Sequence, residues 1–373
     1  MANLQHIRRR IKSVKNIQKI TNAMDMIARS RFNAAREALL SNLPYVAKTK
    51  EIMRRVMTQM RGQEYEHPFV MTRDELIANQ QQADGKFLFI VIASDKGLAG
   101  SFSSNVFKEA HDTIEYDGTG ESISTGEDDG DDENFHKKNF DAIKDLRKNP
   151  QMGQMRATRS HVKASGTSRP ASTGSATSTS NVSVAREYHD ENYIDGIELI
   201  TVGRKATAHF KQRGYNIIKQ YSGISERPSY QYAKEIADLI VERFMSGEIT
   251  DVTMIYTRFV SAISCVPDDV TLLPLITDDY ATEGLSVKEE YIYEPDASSV
   301  LNGFLPHRLA TRIYGAMLHG AASELSSRMN AMSNATDNAQ ELIGKLNLHY
   351  NKVRQAGITN EINEIVGGAN ALE

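Results

Sequence analysis

The sequence has no tryptophan and only one cysteine, Cys265, among its 373 residues. A single cysteine excludes an internal disulfide and a zinc site built from several cysteines. No apolar run approaches the roughly 20 residues that a membrane span needs, so we expect no segment to cross a bilayer. The chain also lacks the HExxH zinc-protease motif and the GxSxG nucleophile elbow. We therefore expect no catalytic residue, metal site or bound cofactor.

Charge of one sign does not dominate either. Lysine and arginine together number 44 against 48 aspartates and glutamates, which gives a formal net charge of −4. This balance excludes a globally basic nucleic-acid-binding protein, although it leaves room for a local basic patch.

The first part of the chain is low in helix-breaking residues. Glycine is absent before Gly62, and the only proline before it is Pro44. Apolar residues recur there at spacings of three and four, which predicts one helix over residues 3–60 with a kink or short break at the proline. The predicted coiled-coil seam consists of Leu4, Ile7, Ile11, Val14, Ile17, Ile20, Met24 and Ile27.

A second long apolar periodicity follows the last proline, Pro306, and predicts a helix over residues 308–371. Sixty helical residues span about 90 Å, which is wider than a small globular domain. Neither helix can bury its apolar stripe alone, so we expect the two helices to pair antiparallel as a rod. Within residues 329–340 only Asp337 is charged. That composition indicates either burial in a larger assembly or a surface that contacts a partner without adhering strongly in one orientation.

The region between the two helices alternates β and α patterns, which predicts a mostly parallel, open sheet. The predicted strands are 86–93, 196–202, 215–221, 251–259 and 270–276, and the predicted helices are 205–213 and 230–245. The fold class is therefore α/β plus a long antiparallel coiled coil, with the N- and C-terminal helices paired around a Rossmann-like open-sheet domain that carries a flexible insertion.

The insertion interrupts the sheet domain rather than separating two domains. It has an acidic block, a basic block and a serine- and threonine-rich block, and such sequence cannot bury enough apolar surface to fold compactly. A short helix over residues 139–146 fits within it. The predicted parts are an N-terminal helix (1–62), two portions of the α/β domain (84–116 and 191–295), the insertion (117–190) and a C-terminal helix (300–373).

Two glycine-containing loops, residues 95–100 and 202–206, each lie between a strand and a helix, where phosphates often bind. Both lack the GxxxxGK[ST] pattern and the full GxGxxG pattern. We therefore favour structural turns or partner contacts, and keep an α/β nucleotide-binding protein with coiled-coil arms as the alternative function.

The N-terminal helix is locally basic, with nine lysines and arginines from Arg8 to Arg36 against one acid, Asp25. A solvated face, a surface that docks onto an acidic protein and a nucleic-acid-binding face all fit this pattern. Phe32 is the only aromatic residue in this stretch, so it lacks the aromatic interleaving typical of single-strand binding.

Six segments, taken together and in order, resemble the gamma subunit of F-type ATP synthases. The resemblance covers about 300 of the 373 residues. The most specific segments are ITNEINEIVGGA (358–369) and IKSVKNIQKITNAMDMIA (11–28). The other four are SDKGLAG (94–100), VGRKA (202–206), EEYIYEPD (289–296) and SRMNAMSNATDNAQELI (327–343). The loop departs from the family's common GLCGG at Ala99 and Ser101, and the insertion has no cysteine, so we expect no thiol switch.

The resemblance implies a non-catalytic central shaft of a rotary motor. Its paired helices would lie inside a hexamer of alternating alpha and beta subunits, and its α/β domain would lie near the epsilon subunit and the membrane ring of c subunits. Because the sequence begins without a leader pattern, we expect a peripheral position on the cytoplasmic face of a bacterial membrane. The contacts with the hexamer implied by the resemblance are Met24, Arg29, Arg31, Lys96, Arg354, Gln355, Thr359, Glu361 and Glu364.

Overall fold

A computed structural model describes residues 2–60, 69–71, 86–117, 196–276, 293–294 and 296–370. These residues belong to one compact unit, formed by residues 1–126 and 194–373. The predicted insertion, except for Asp117, and the short helix at 139–146 lie outside the described residues.

Helix α1 (Ala2–Met60) covers the predicted N-terminal helix and continues through Pro44, so of the predicted kink or short break the break does not occur. The proline is exposed, whereas Leu39, Leu43 and Thr49 on both sides of it are buried. Packing on both sides of the proline offsets the hydrogen bond that it removes from the helix.

Helix α5 (Ala297–Asn370) begins before the predicted start at residue 308 and also includes its proline, Pro306. Asp296 caps the helix, since its carboxylate accepts a hydrogen bond from the Ser299 backbone N–H at 2.8 Å. Leu301 and Leu305 in the first turns are fully buried. The cap and this burial extend the helix backwards across a residue that the sequence pattern treats as a boundary.

The two terminal helices run antiparallel where they contact each other. Gln18 Nε2 donates to Gln340 Oε1 at 2.7 Å, Thr21 and Thr336 share a hydroxyl hydrogen bond at 2.7 Å, and Tyr45 bonds His307. Position numbers therefore rise along α1 as they fall along α5. This register brings the first residues of α1 beside α5 at about residue 356, by continuing the pairing at constant rise along both helices.

The predicted seam of α1 is only partly correct. Ile7, Val14 and Ala28 are buried, and Thr21 between them bonds to α5. The three successive three-residue spacings from Ile11 turn the apolar stripe away from this seven-residue repeat. Four predicted seam residues are consequently exposed by 40 to 59 %: Ile17, Ile20, Met24 and Ile27.

A five-stranded sheet lies between the helices in the chain order, and its strands are arranged as β4-β3-β2-β5-β6. Strands β2 (Lys86–Ile92), β3 (Ile197–Val202), β4 (Asn216–Tyr221) and β5 (Ile249–Phe259) are parallel. Strand β6 (Cys265–Leu273) pairs antiparallel with β5. A separate short pair joins β1 (Val70–Met71) to β7 (Leu275–Ile276).

The prediction of a strand over residues 270–276 missed the start of β6, and the prediction of a mostly parallel sheet did not say which strand would be antiparallel. Only residues 260–264 separate β6 from β5. So short a connection closes a hairpin, whereas a parallel partner needs a crossover of about a dozen residues or more.

The other helices within the described residues cover both faces of the sheet. They are α2 (Phe102–Asp117), α3 (Arg204–Gln212) and α4 (Tyr230–Met245). Leu88 and Ile90 of β2 belong to the core shared with α4 and α5. The intervening Phe89 points to the opposite face, because side chains alternate along a strand. None of the described helices is both long enough and apolar enough to cross a bilayer.

Candidate partner interface

The carboxyl ends of the parallel strands are joined by Asp95, in the loop after β2. Its carboxylate accepts hydrogen bonds from the backbone N–H groups of Arg204 (3.1 Å), Gly223 (2.8 Å) and Ser225 (3.0 Å). Burial disfavours the ionised form, but these bonds from Gly223, Ser225 and Arg204 hold the pKa of Asp95 below its ordinary value. One carboxylate thus fixes the segments that follow β2, β3 and β4.

The glycine of the second loop has a structural role. Gly203 has a φ of +102°, and a Cβ at this position would lie 2.3 Å from the backbone oxygen of Ala93. Only glycine permits this close approach of β3 to the end of β2. This supports the interpretation of residues 202–206 as a structural turn.

Asp95 also occupies the place where an anionic ligand would bind. Its Oδ1 accepts from the first N–H of helix α3, at the positive end of the helix, where phosphates bind in many α/β proteins. A phosphate at this position would have to displace a buried carboxylate that already satisfies three backbone donors. The alternative of a nucleotide site at these loops is therefore not favoured.

Two of the implied contact residues, Arg31 and Lys96, meet at the carboxylate of Glu226. Lys96 Nζ lies 3.0 Å from Glu226 Oε1, and Arg31 Nη1 bonds Oε2. A third cation, Arg328 of α5, lies 3.1 Å from Oε1. Burial raises the pKa of Glu226, but the Lys96 hydrogen bond and the positive charges of Lys96, Arg328 and Arg31 outweigh it and lower the pKa. This cluster connects α1, α5 and two loops of the sheet.

Glu226 and Arg328 were not predicted from the sequence. Arg328 is the only lysine or arginine between Arg312 and Lys345, and this isolation is the signal that could have identified it. It also pairs with Glu324, one turn earlier on α5, and donates to the backbone oxygen of Gly97 at 3.4 Å. Burial raises the pKa of Glu324, although Arg328 opposes the rise.

The low-charge stretch of α5, residues 329–340, has two different faces. Met332 and Ala339 are buried, whereas Asp337 and Gln340 are exposed. Just before and within it, polar side chains bond the β5–β6 hairpin: Ser326 Oγ and Asn330 Nδ2 donate to the backbone oxygen of residue 262 at 2.6 and 2.7 Å. Two residues of the stretch are therefore buried within this chain and six are partly buried, whereas Asn334, Asp337, Asn338 and Gln340 are exposed and available to a partner.

The other implied contacts are spread along the terminal helices. Met24 lies on the exposed stripe of α1, and Arg29 pairs with Asp25 at 2.9 Å. Arg354, Gln355 and Thr359 are exposed on α5. Glu361 and Glu364 belong to the same helix, and their side chains lie outside the described residues.

The described residues contain no group of three or more His, Cys, Asp or Glu side chains that could hold a metal ion. The site is instead a surface: a basic cluster around Glu226 and, farther along the helices, exposed apolar and polar side chains. Such a surface can bind another protein that presents carboxylates to the basic cluster and apolar groups to the exposed apolar side chains.

The comparison with known proteins gives a consistent result. The model of the ATP synthase family matches residues 3–168 and 173–372. The ATP synthase gamma chain of Pelotomaculum thermopropionicum is 35 % identical over 373 residues, and that of Halothermothrix orenii is 32 % identical over 374 residues. Both alignments cover 100 % of this chain and 100 % of the relative.

A solved structure shows the same fold. The match is a chain of the Euglena gracilis mitochondrial ATP synthase (OSCP/F1/c-ring, rotational state 3), with a TM-score of 0.51 and 14 % identity. It covers 100 % of this chain and 95 % of that chain. Together, the family model and relatives of more than 30 % identity over their whole length show that this chain belongs to the ATP synthase gamma-chain family.

Proposed function

We propose that this chain is the central shaft of a rotary F-type ATP synthase. It couples ion flow through the membrane ring to ATP synthesis or hydrolysis on the beta subunits by rotating inside the alpha/beta hexamer. Its membership of the gamma-chain family supports this function. The observation that carries the proposal is the exposed apolar stripe of α1 on a long antiparallel helix pair.

The stripe calls for a partner because it is apolar, aligned and uncovered by this chain. Ile17, Ile20, Met24 and Ile27 follow one another at spacings of three and four along α1. Farther along the pair, α5 exposes Ile358, Ile362 and Val366 by 48 to 54 %. Aligned apolar side chains on a surface are typical of protein interaction sites. The collar of an alpha/beta hexamer would enclose both sets.

The shaft acts by changing the conformation of the beta subunits as it rotates. A single asymmetric rod within a collar of threefold pseudosymmetry presents a different side to each beta subunit. Moving a nucleotide site from mostly open to mostly closed requires a differential interaction of about 5.5 kcal/mol. The shaft supplies this difference through contacts that change with angle, and the nucleotide chemistry itself belongs to the beta subunits.

The partner contacts follow from this arrangement. Met24, Arg29, Arg31 and Lys96 face acidic segments of beta, and the end of α5 contacts the collar through Arg354, Gln355, Thr359, Glu361 and Glu364. Exposure of Met24, Arg29, Lys96 and Arg354 supports these assignments. The Rossmann-like α/β domain faces the epsilon subunit and the ring of c subunits. The whole chain is peripheral, on the cytoplasmic face of the bacterial membrane.

The domain boundaries proposed are the paired terminal segments 1–62 and 300–373, forming a coiled coil, and the sheet portions 84–116 and 191–295, interrupted by the insertion at 117–190. The antiparallel bonds between α1 and α5 support the first pair. The joining of β2 and β3 as neighbouring parallel strands supports a single domain on both sides of the insertion.

Co-expression of the full chain with alpha and beta subunits tests the function. We expect a stable complex whose ATP hydrolysis drives rotation of the shaft, observed with a bead attached to the α/β domain. A chain that fails to co-purify with the hexamer, or a complex that hydrolyses ATP while the shaft stays still, would contradict the proposal. Saturable nucleotide binding by the chain alone would favour the alternative.

A further inference from the structure

The carboxylate of Glu226 is shared by more cations than it can neutralise. Lys96 Nζ and Arg328 Nη1 lie 3.0 and 3.1 Å from Oε1, and Arg31 Nη1 bonds Oε2. The Glu226 side chain itself is only 13 % exposed. Even with Glu324 beside Arg328, three cations face two carboxylates here. The cluster therefore has positive charge to offer to a partner.

The three cations are held very differently. Arg328 is 9 % exposed, and it bonds Glu324, Glu226 and the backbone oxygen of Gly97. Lys96 and Arg31 have side chains exposed by 53 and 43 %, so water screens their attraction to Glu226. Arg328, which is itself nearly buried, keeps a hydrogen bond to Glu226 at 3.1 Å, whereas the two exposed cations can change partner at little cost.

We propose that Glu226 is an intramolecular counter-ion that carboxylates of the alpha/beta hexamer replace at Lys96 and Arg31 when the shaft is seated, an inference that rests on the function proposed above. The internal carboxylate and the hexamer's acidic segments compete for the same two cations. Arg328 stays with Glu226 throughout, so the exchange leaves no buried charge without a partner.

This exchange suits a rotating contact. When an acidic segment of one beta subunit moves away, Lys96 and Arg31 return to Glu226 rather than remaining without an anionic partner in a crowded interface. The free-energy penalty between successive contacts is therefore smaller than it would be for isolated cations. The exchange also weakens binding of the shaft to the hexamer at any one angle, since each new contact must first displace an internal ion pair.

The substitution Glu226→Gln tests the competition. It removes the internal carboxylate and keeps its shape, so Lys96 and Arg31 become fully available to the hexamer. We expect the full chain to bind the alpha/beta hexamer about two- to fivefold more tightly at low salt, which is the size of one or two exposed ion pairs. The gain should disappear at high salt, because it arises from screened charges.

Glu248→Gln is the matched control, since it also removes one carboxylate paired with an arginine, Arg243. Glu248 precedes β5 at the amino edge of the sheet, opposite the carboxyl-edge loops that contain Lys96 and Glu226. This control should leave binding to the hexamer unchanged. If Glu226→Gln does not fold, Glu226→Asp, which shortens the reach to both cations, should give a smaller gain in the same direction.

A double-mutant cycle with Lys96→Gln separates the exchange from a general charge effect. Loss of Lys96 should weaken binding more in the Glu226→Gln chain than in the unsubstituted chain, because only the latter also loses an internal pair. Equal losses in both chains, or no gain from Glu226→Gln, would overturn the exchange. Failure of the unsubstituted chain to bind the hexamer would overturn both proposals.

Discussion

The side chain of Asp95 holds together the loops at the carboxyl ends of the parallel strands. Its two oxygens accept three backbone N–H groups from two loops, one from Arg204 after β3 and two from Gly223 and Ser225 after β4, and these hydrogen bonds are buried or partly buried. The substitution Asp95→Asn replaces one acceptor oxygen by an NH2 group, which faces a backbone donor instead of accepting from it. We expect a loss of about 1–3 kcal/mol in the free energy of unfolding, measured by urea denaturation.

Asp238→Asn, on the exposed face of α4, is the control for this substitution, and we expect it to change stability by less than about 0.5 kcal/mol. The pKa of Asp95 lies below its unfolded value, so its stabilisation is present above about pH 4 and is lost as the pH falls. Equal effects of the two substitutions at neutral pH would contradict this role of Asp95.

His111 and His209 form a half-buried pair in which the pKa of each imidazole lies below its ordinary value. Their Nε2 atoms are 3.0 Å apart, and the ring of Phe107 stacks on the ring of His209 with 4.1 Å between the ring centroids. Burial, then Arg213 and His111, lower the pKa of His209 to about 4. The unfolded chain therefore binds more protons than the folded chain between about pH 6.5 and 4, and stability falls as the pH falls through this window.

Replacing His209 by Gln removes this titration, so the variant should lose less stability than the unsubstituted chain between pH 7 and pH 5. Glu115 and Asp112, whose charges oppose the depression of the His111 pKa, remain in place in both chains. His349→Gln, on an exposed site of α5, serves as the control. Parallel pH profiles for the His209 variant and the unsubstituted chain would refute the assignment.

At the scale of elements, the sequence predicts what depends on local pattern. The continuous apolar run predicts the central strand β2, and the two long periodicities predict both terminal helices. These predictions succeed because an element that buries one face, or is buried on both, needs apolar residues at a regular spacing. The direction of a strand and the identity of its neighbour in the sheet are less visible in the sequence pattern. The antiparallel turn into β6 depends on a short connection, and the start of α5 depends on packing of Leu301 and Leu305.

The residues of the candidate site were also predictable only in part. Lys96 and Arg31 could be named from a resemblance, but their meeting at Glu226 depends on contacts between segments that are distant in sequence. The seam of α1 shows the limit most clearly. Periodicity identified its apolar residues, yet it could not tell which face α5 would cover and which face would remain exposed.

The two faces of α1 should respond differently to substitution. Val14 is buried against Ala339 and Ile343 of α5, so Val14→Ala should cost about 1–2 kcal/mol of chain stability. Ile20 is 59 % exposed, and Ile20→Gln should change chain stability by less than about 0.5 kcal/mol. Urea denaturation of the isolated chain measures both effects.

Binding to the alpha/beta hexamer should separate the same two variants. Ile20→Gln should weaken binding, since it places a polar amide where the collar would cover an apolar side chain. Its stability in isolation shows that this loss does not come from misfolding. If Ile20→Gln destabilises the chain alone, or binds the hexamer as tightly as the unsubstituted chain, the stripe is not the contact surface that we propose.

For the whole molecule, the register of the helix pair separates a part that holds the chain together from a part that serves the assembly. The first residues of α1 lie beside α5 at about residue 356, as estimated from the helical rise. The remainder of α5 continues to Asn370 beyond the start of α1, with Ile358, Ile362 and Val366 exposed. This end therefore contributes little to the fold of the described residues.

Ending the chain at Gly357 tests this division of roles. Because the removed segment lies past the pairing with α1, the shortened chain should keep its thermal unfolding midpoint within a few degrees, the shift expected for a change of about 1 kcal/mol. In the complex with alpha and beta it should lower the yield of assembled hexamer or the ion pumped per ATP hydrolysed, since the collar loses the contacts proposed for Thr359, Glu361 and Glu364. Unchanged assembly together with unchanged coupling would show that the collar grips the shaft elsewhere, and a collapse of chain stability would show that this end supports the fold.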